Sequence, residues 1–296
     1  MLTLGAIARP QLPPERLRAL SRAAQDAGLA QLWVWEDCFL SGGVATTAAA
    51  LAWTERLRVG IGVLPVPLRK VTLTAMEVAT LLRLFPDRVV LGFGHGVQDW
   101  MGQAGARVES PLTLLREYLV ALRALLGGER VTTAGRYVTL DDVALDWPPA
   151  APPPLLVGST GAKTLVLAGE VADGVVLSAG STPDDVRRAR RLLDEGRTAA
   201  GRDDRPAVVV NLHTAVAVGT GSDATERLHA ELRRWYGRTD AELGVAGDAG
   251  DVAAAVTALA DAGADTVVLE PTPDEPDPEG FVRFAAEEVA PLLRST

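Results

Sequence analysis

Short β-rich runs alternating with longer stretches of helical periodicity predict an α/β fold, a (β/α)8 TIM barrel with an insertion between strands four and five. Two observations carry this. Eight strand-like runs, each followed by helical pattern, can be counted along the 296 residues, and no low-complexity stretch separates two halves. An open doubly wound sheet usually has fewer strands. The length alone admits two small domains or one large barrel, and the unbroken alternation favours a single domain over 1–296.

The first unit sets the pattern. Residues 4–8 form a short apolar strand. After Pro13 and Pro14, the residues Leu17, Leu20, Ala24 and Ala27 recur on one helical face, and Gly28 ends the helix. Strand two spans 31–35 and helix two 44–53; strand three spans 58–63 and helix three 72–84. Pro86 and Asp87 turn the chain into strand four at 88–94, and the following helix places Leu112, Leu115, Leu119, Leu122 and Leu126 on one face. The alternation breaks between 131 and 154, where two β-prone segments, 136–140 and 143–147, end in a proline-rich bend; this is the expected insertion. It resumes with strand five at 155–157, a helix at 161–170, strand six at 174–178 and a helix at 183–199 with Val186, Ala189, Leu192 and Leu193 inward. Strand seven is read at 208–218, two helices at 223–236 and 251–262, strand eight at 266–270 and a closing helix at 280–293. The acidic, proline-punctuated stretch 271–278 then falls in the loop after strand eight.

Composition narrows the function. Hydrophobic residues make up 48% of the chain and charged residues 23%, enough for a substantial core. The net charge of −9 disfavours phosphate backbones and anionic lipid surfaces, so neither nucleic acid nor membrane is an expected partner. Cys38 is the sole cysteine, which excludes an intramolecular disulfide and points to a reducing, cytoplasmic location. The first ten residues lack a basic n-region, and no apolar run approaches a membrane span, so a soluble, unprocessed chain is expected.

In a barrel, the loops after strand C-termini build the active site. Strand two is followed there by Glu36, Asp37 and Cys38, strand three by Gly62 and Val63, strand four by Gly94, His95 and Gly96, strand five by Gly158, Ser159, Thr160 and Gly161, and strand six by Ser178. The strand, glycine-flanked Ser159 and Thr160 turn and helix start over 155–163 suit an anion, because free N–H groups at a helix N-terminus carry partial positive charge. The plainer alternative makes Ser159 or Thr160 an N-cap. Gly92-Phe93-Gly94-His95-Gly96 lacks the spacing of a dinucleotide fingerprint; its glycines either let a planar ligand approach the backbone or serve a tight turn. His95 is the one histidine placed at the rim, with His213 on strand seven and His229 on a helix, and it can exchange protons near neutral pH. Glu36 and Asp37 are candidates for catalysis or cofactor contact, or else for salt bridges. No histidine pair has metal-ligand spacing, so no metal is expected. Trp33 and Trp35 point to one side of strand two, where one can wall a ligand while the other packs inside.

These residues resemble the bacterial luciferase-like flavin and deazaflavin (F420) oxidoreductases. The likeness rests on Leu32-Trp33-Val34-Trp35-Glu36-Asp37, on 58–80, on 88–96, and most specifically on 154–161 followed by Ala168-Gly169-Glu170-Val171-Ala172-Asp173-Gly174-Val175. The resemblance implies a TIM barrel, often dimeric, with a flavin at its C-terminal rim and a non-proline cis peptide matching Gly62 and Val63. It also implies that Gly94, His95 and Gly96 line the ring while Gly158, Ser159, Thr160, Gly161 and Ser178 surround a phosphate. The match to the deazaflavin-using branch favours F420 over FMN, and hydride transfer between F420 and a small organic substrate. An FMN-dependent monooxygenase and a non-catalytic flavin carrier are the alternatives. A phosphate-sugar isomerase or lyase ranks behind them, since the nearest lysines, Lys70 and Lys163, fall at or inside helices. Where several deazaflavin enzymes have Asp-His after strand two, this chain has Glu36-Asp37-Cys38, which leaves the acid or base among His95, Asp37 and Glu36.

Overall fold

The computed structural model describes residues 2–216 and 224–293. In chain order the elements are β1 (Thr3–Ile7), α1 (Leu17–Asp26), β2 (Gln31–Val34), α2 (Gly43–Ala52), β3 (Arg58–Pro65), α3 (Val71–Leu84), β4 (Val89–Gly94), α4 (Gln98–Gln103) and α5 (Pro111–Leu126). There follow β5 (Val131–Ala134), β6 (Thr139–Val143), β7 (Leu155–Gly158), α6 (Ala162–Val171), β8 (Gly174–Leu177), α7 (Pro183–Ala199) and β9 (Ala207–Val216). The chain ends with α8 (Ala224–Tyr236), β10 (Gly244–Gly247), α9 (Ala249–Asp261), β11 (Thr266–Pro271), α10 (Pro278–Arg283), a π-helical segment Phe284–Val289 and α11 (Ala290–Leu293). Strands β1, β2, β3, β4, β7, β8, β9 and β11 pair in parallel in that order, and β11 pairs with β1, which closes an eight-stranded TIM barrel.

The sequence reading differs from this in three places. β10 pairs in parallel with the end of β9, Gly244 opposite His213; a glycine-alanine-rich run of four residues carries too little β propensity to be seen in advance. The six-residue α4 is likewise too short for a periodic signal. The segment between β4 and β7 does contain an antiparallel hairpin, but its strands are β5 and β6, not 136–140 and 143–147. Glu117 on α5 is the reason. Its carboxylate accepts the backbone N–H groups of Arg136 (2.8 Å), Tyr137 (2.8 Å) and Val138 (3.0 Å), holding as a turn residues that read as strand. The expected end of strand seven at 217–218 and helix start at 223 lie outside the described residues.

Period-two alternation splits the core. One large cluster lies between the barrel and its helices; a small one inside the barrel joins Ile7, Trp33, Leu156, Val176, Val209 and Val268. Trp33 dominates the interior, is buried, and donates its indole N–H to Gln31 Oε1 at 2.8 Å. It fits because β3 has no side chain at Gly60, where a Cβ would stand 2.3 Å from the indole. At the strands' N-terminal ends, Asp173 accepts the N–H of Leu155 and pairs with Arg123 (2.7 Å) and Arg202 (2.9 Å), while Glu170 pairs with Arg116. Glu170 and Asp173 of the most specific family segment thus tie the barrel together at its closed end, away from the rim.

Gly60→Ala should fold but lose about 1–3 kcal/mol through overpacking, read as a lower urea midpoint at unchanged slope. An unchanged midpoint would mean that the Trp33 indole has room to move.

Candidate active site

A cavity of about 540 Å³ opens at the strand C-termini, within the range of small-molecule sites. Glu36, Asp37, Gly62, Val63, Gly94, His95, Gly96, Gly158, Ser159, Thr160 and Ser178 all line it. Gly161 alone of the expected residues stands outside the lining, as the N-cap of α6.

The floor is Val63. The Gly62–Val63 peptide is cis, and a second non-proline cis peptide, Cys38–Phe39, lies in the loop after β2. A Cβ at Gly94 or at Gly158 would come within 2.7 Å of a Val63 methyl group. The strand-end glycines therefore make room for the Val63 side chain, and only through it for whatever rests above. Trp33 and Trp35 divide their roles along β2 and its end: Trp33 plugs the interior below, and half-buried Trp35 walls the cavity.

At one end of the cavity α6 begins with no side-chain cap. Ser159 Oγ accepts the Gly161 N–H (3.0 Å) instead, so neither Ser159 nor Thr160 caps the helix, and the positive helix end faces the rim. His95 Nε2 lies 3.0 Å from Thr164 Oγ1 in the first turn of α6, and burial pushes the imidazole pKa down, which keeps it neutral near pH 7. His95 is thus tethered to the helix that presents the anion site.

The opposite side is acidic. Both Glu36 oxygens are engaged, Oε1 by Arg69 (2.5 Å) and Oε2 by the Gly43 N–H (2.7 Å), so this carboxylate starts α2 and anchors Arg69. Asp37 is less committed, and burial raises its pKa against the pull of the Trp35 indole and Arg9. Strands one, seven and eight, from which no site residue was expected, supply Arg9, Asn211, His213 and Glu270, with Trp235 and Tyr236 added from α8. The strand-end rule applied to those three strands gives Arg9 and Glu270 directly. Buried Arg9 donates to Glu231 Oε1 (2.9 Å) and the Pro271 carbonyl (2.8 Å) and lies 3.4 Å from Glu270 Oε1. His213 stands between Glu270 Oε1 (3.5 Å) and the Tyr236 hydroxyl (3.1 Å), which itself donates to the Ala179 carbonyl (2.6 Å). His213 therefore joins His95 at the rim, contrary to the expectation of a single rim histidine. Burial raises Glu270 to about 7 and lowers His213 to about 4.

A flat ligand with an anionic tail suits this geometry. Asn211 Oδ1 is buried in the wall with no partner, an acceptor left for a ligand donor, and the uncapped α6 offers its N-terminal amides to a charged group.

A family model described as luciferase-like monooxygenase matches residues 3–276. The chain belongs to that family. Among luciferase-like relatives, it is 31% identical over 205 residues to a 5,10-methylenetetrahydromethanopterin reductase of Methanolobus tindarius, covering 69% of this chain and 62% of that protein's length. It is 32% identical over 253 residues to an F420-dependent glucose-6-phosphate dehydrogenase of Beutenbergia cavernae, covering 79% and 73%. The fold matches the coenzyme F420 dependent tetrahydromethanopterin reductase from Methanopyrus kandleri at a TM-score of 0.82, with 22% identity and 99% of each chain covered. It also matches an oxygenating constituent of 3,6-diketocamphane monooxygenase from Pseudomonas putida, in complex with FMN, at 0.79, with 18% identity over 98% and 99%.

Glu270 binds its proton more tightly folded than unfolded. Its contribution to stability is therefore complete below about pH 4.5 and is lost as pH rises through about 7. The stability difference between wild type and Glu270→Gln should accordingly fall by roughly 3 kcal/mol across that window. Denaturant melts at several pH values check this; a constant difference would mean that Glu270 titrates as an ordinary carboxyl.

Proposed function

We propose that this protein is an oxidoreductase that transfers a hydride between coenzyme F420 and a small organic substrate, with the cofactor held at the barrel rim. The observation that carries the reading is the pairing, in one cavity, of the Val63 floor with the turn at 158–160 that leads into the uncapped α6. The F420-dependent relatives support the choice of cofactor. Bound F420 supplies a two-electron hydride carrier that reacts poorly with oxygen; the chain supplies binding, orientation and protons. Val63 supports one face of the ring, Gly94, His95 and Gly96 lie along it, and the amides after Gly161, with Gly158, Ser159, Thr160 and Ser178, hold the phosphate. Trp35 and Trp235 give the wall of the cavity an apolar surface. Glu270, raised by burial to about 7, can hold or release a proton near neutral pH, and Asp37, whose pKa burial also raises, is the second acid or base candidate; Glu36 keeps to its structural bonds.

A homodimer suits the exposed apolar side chains Leu73 and Met76 on α3 and Val120 on α5, which a second copy would cover. The lone thiol of Cys38 suits a cytoplasmic location, and among the described residues no helix is long and apolar enough to cross a membrane. The barrel reads as one domain over 1–296.

The cofactor is tested by fluorescence titration of the purified protein with F420 and with FMN. Micromolar binding of F420 is expected; preference for FMN with oxygen consumption by the reduced form would move the protein to the monooxygenases, and indifference to both would remove the reading. Reduced cofactor that binds but never reoxidises with a panel of enones, aldehydes and ketones would make it a carrier. The anion end has its own test. Gly161 has the extended backbone that a following proline requires, so Ala162→Pro should preserve α6 while deleting one amide donor. A five- to tenfold loss of F420 affinity is expected, on the order of 1 kcal/mol, and unchanged affinity would put the phosphate elsewhere.

A further inference from the structure

We infer that the substrate is an uncharged ketone, aldehyde or alcohol, and that phosphorylated or carboxylated substrates are excluded because, among the described residues, the cavity holds no free cation to meet them. This deepens the proposed hydride transfer and rests on it.

Arg9 is the only lysine or arginine lining the cavity among the described residues, and each of its three nitrogens already has a partner. One terminal nitrogen donates to the Pro271 carbonyl (2.8 Å) and sits 3.4 Å from Glu270; the other donates to Glu231 (2.9 Å); Nε donates to Gln11 (3.3 Å). Its flat face lies 5.4 Å from the Trp35 ring, which closes it off further. Two arginines beyond the lining are also engaged. Arg69 is held by Glu36, Arg227 by Glu275, Thr272 and the Val216 carbonyl, and residues 217–223 contain neither lysine nor arginine. Lys163 lies in the first turn of α6, on the side given to the cofactor's own phosphate.

Against this stand three lining carboxyls, Glu36, Asp37 and Glu270. A substrate anion brought beside Asp37 and Glu270 would either repel them or force them to take up protons, and it would shed its water without a counter-charge. Removing an ion from water without a partner is a large penalty, and the apolar walls of Trp35, Trp100 and Trp235 supply no counter-charge to offset it. An uncharged carbonyl meets no such penalty. Its oxygen can accept from a protonated Glu270 carboxyl, an alcohol's hydroxyl can donate to the unpartnered Asn211 Oδ1, and the carbon skeleton packs against the tryptophans. In the reducing direction the substrate carbon gains a hydride from the reduced cofactor and the oxygen gains a proton. The products are the alcohol and the oxidised cofactor, and the proton released by the ring replaces the one consumed. The chain would then differ in substrate charge from its relative that is a glucose-6-phosphate dehydrogenase.

The test uses the full chain, with and without F420, and reads binding through its tryptophan fluorescence, in parallel with F420 absorbance for turnover. The probes are cyclohexanone, 4-oxocyclohexanecarboxylate, which differs by a single carboxylate, and glucose 6-phosphate. Cyclohexanone should bind at least tenfold more tightly than its carboxylate, and glucose 6-phosphate should neither bind nor reduce F420. Glu270→Gln, which removes one carboxyl and loosens the hold on Arg9, should narrow the preference at least threefold. Equal or tighter binding of either anion, a preference untouched by Glu270→Gln, or no binding of cyclohexanone up to 10 mM would each overturn the inference. Failure to bind F420 would instead strike the proposed function, while the cyclohexanone and carboxylate titrations of the cofactor-free protein still report on the charge of the cavity.

Discussion

The indole of Trp33 fills the interior of the barrel, and the site above depends on it. Eight parallel strands enclose a space too narrow for many large inward side chains. One tryptophan, admitted by the missing side chain at Gly60, takes the centre and leaves the upper layer open. Val63 then becomes the floor of a cavity, and Gly94 and Gly158 yield to it from the neighbouring strands. The glycines of this region serve packing between protein groups first, and through that packing they shape a shelf.

Above the shelf the charge is distributed unevenly. One end carries the open amides of α6 and a neutral His95 bonded to Thr164. The other carries Arg9, enclosed by Glu231 and Glu270, with His213 and Tyr236 beside it. An anionic tail is attracted to the first end and a proton is retained at the second. This polarity gives a long ligand one favourable orientation. The buried ion pairs are thus better understood as setting the electrostatic character of the cavity than as a source of stability, since the desolvation of such pairs offsets much of their attraction.

Much of this was legible in the sequence. Strand and helix alternation gave the barrel, because alternate residues of parallel strands must face either the interior or the helices, and long helices repeat their apolar positions. The strand-end rule found the cavity walls at Glu36, Asp37, Val63, His95 and Ser159. What it did not find has physical reasons. Glu36 cannot be told from Asp37 in sequence, because the distinction lies in Arg69 and Gly43, which approach from other segments. The hairpin strands were displaced because Glu117 binds three consecutive N–H groups from a distant helix. Arg9, His213 and Glu270 look ordinary singly, and their character comes from enclosing one another. Glu170 and Asp173 point to the family but not to the site, since they brace the opposite end of the barrel.

The central claim is that the rim holds a flat redox cofactor with its charged tail at the start of α6. A crystal structure of the protein soaked with F420 tests it most directly. The account predicts the ring against Val63 and the phosphate within hydrogen-bond reach of the Ala162 and Lys163 amides; a vacant rim, or a phosphate bound at the acidic side near Glu270, would contradict it.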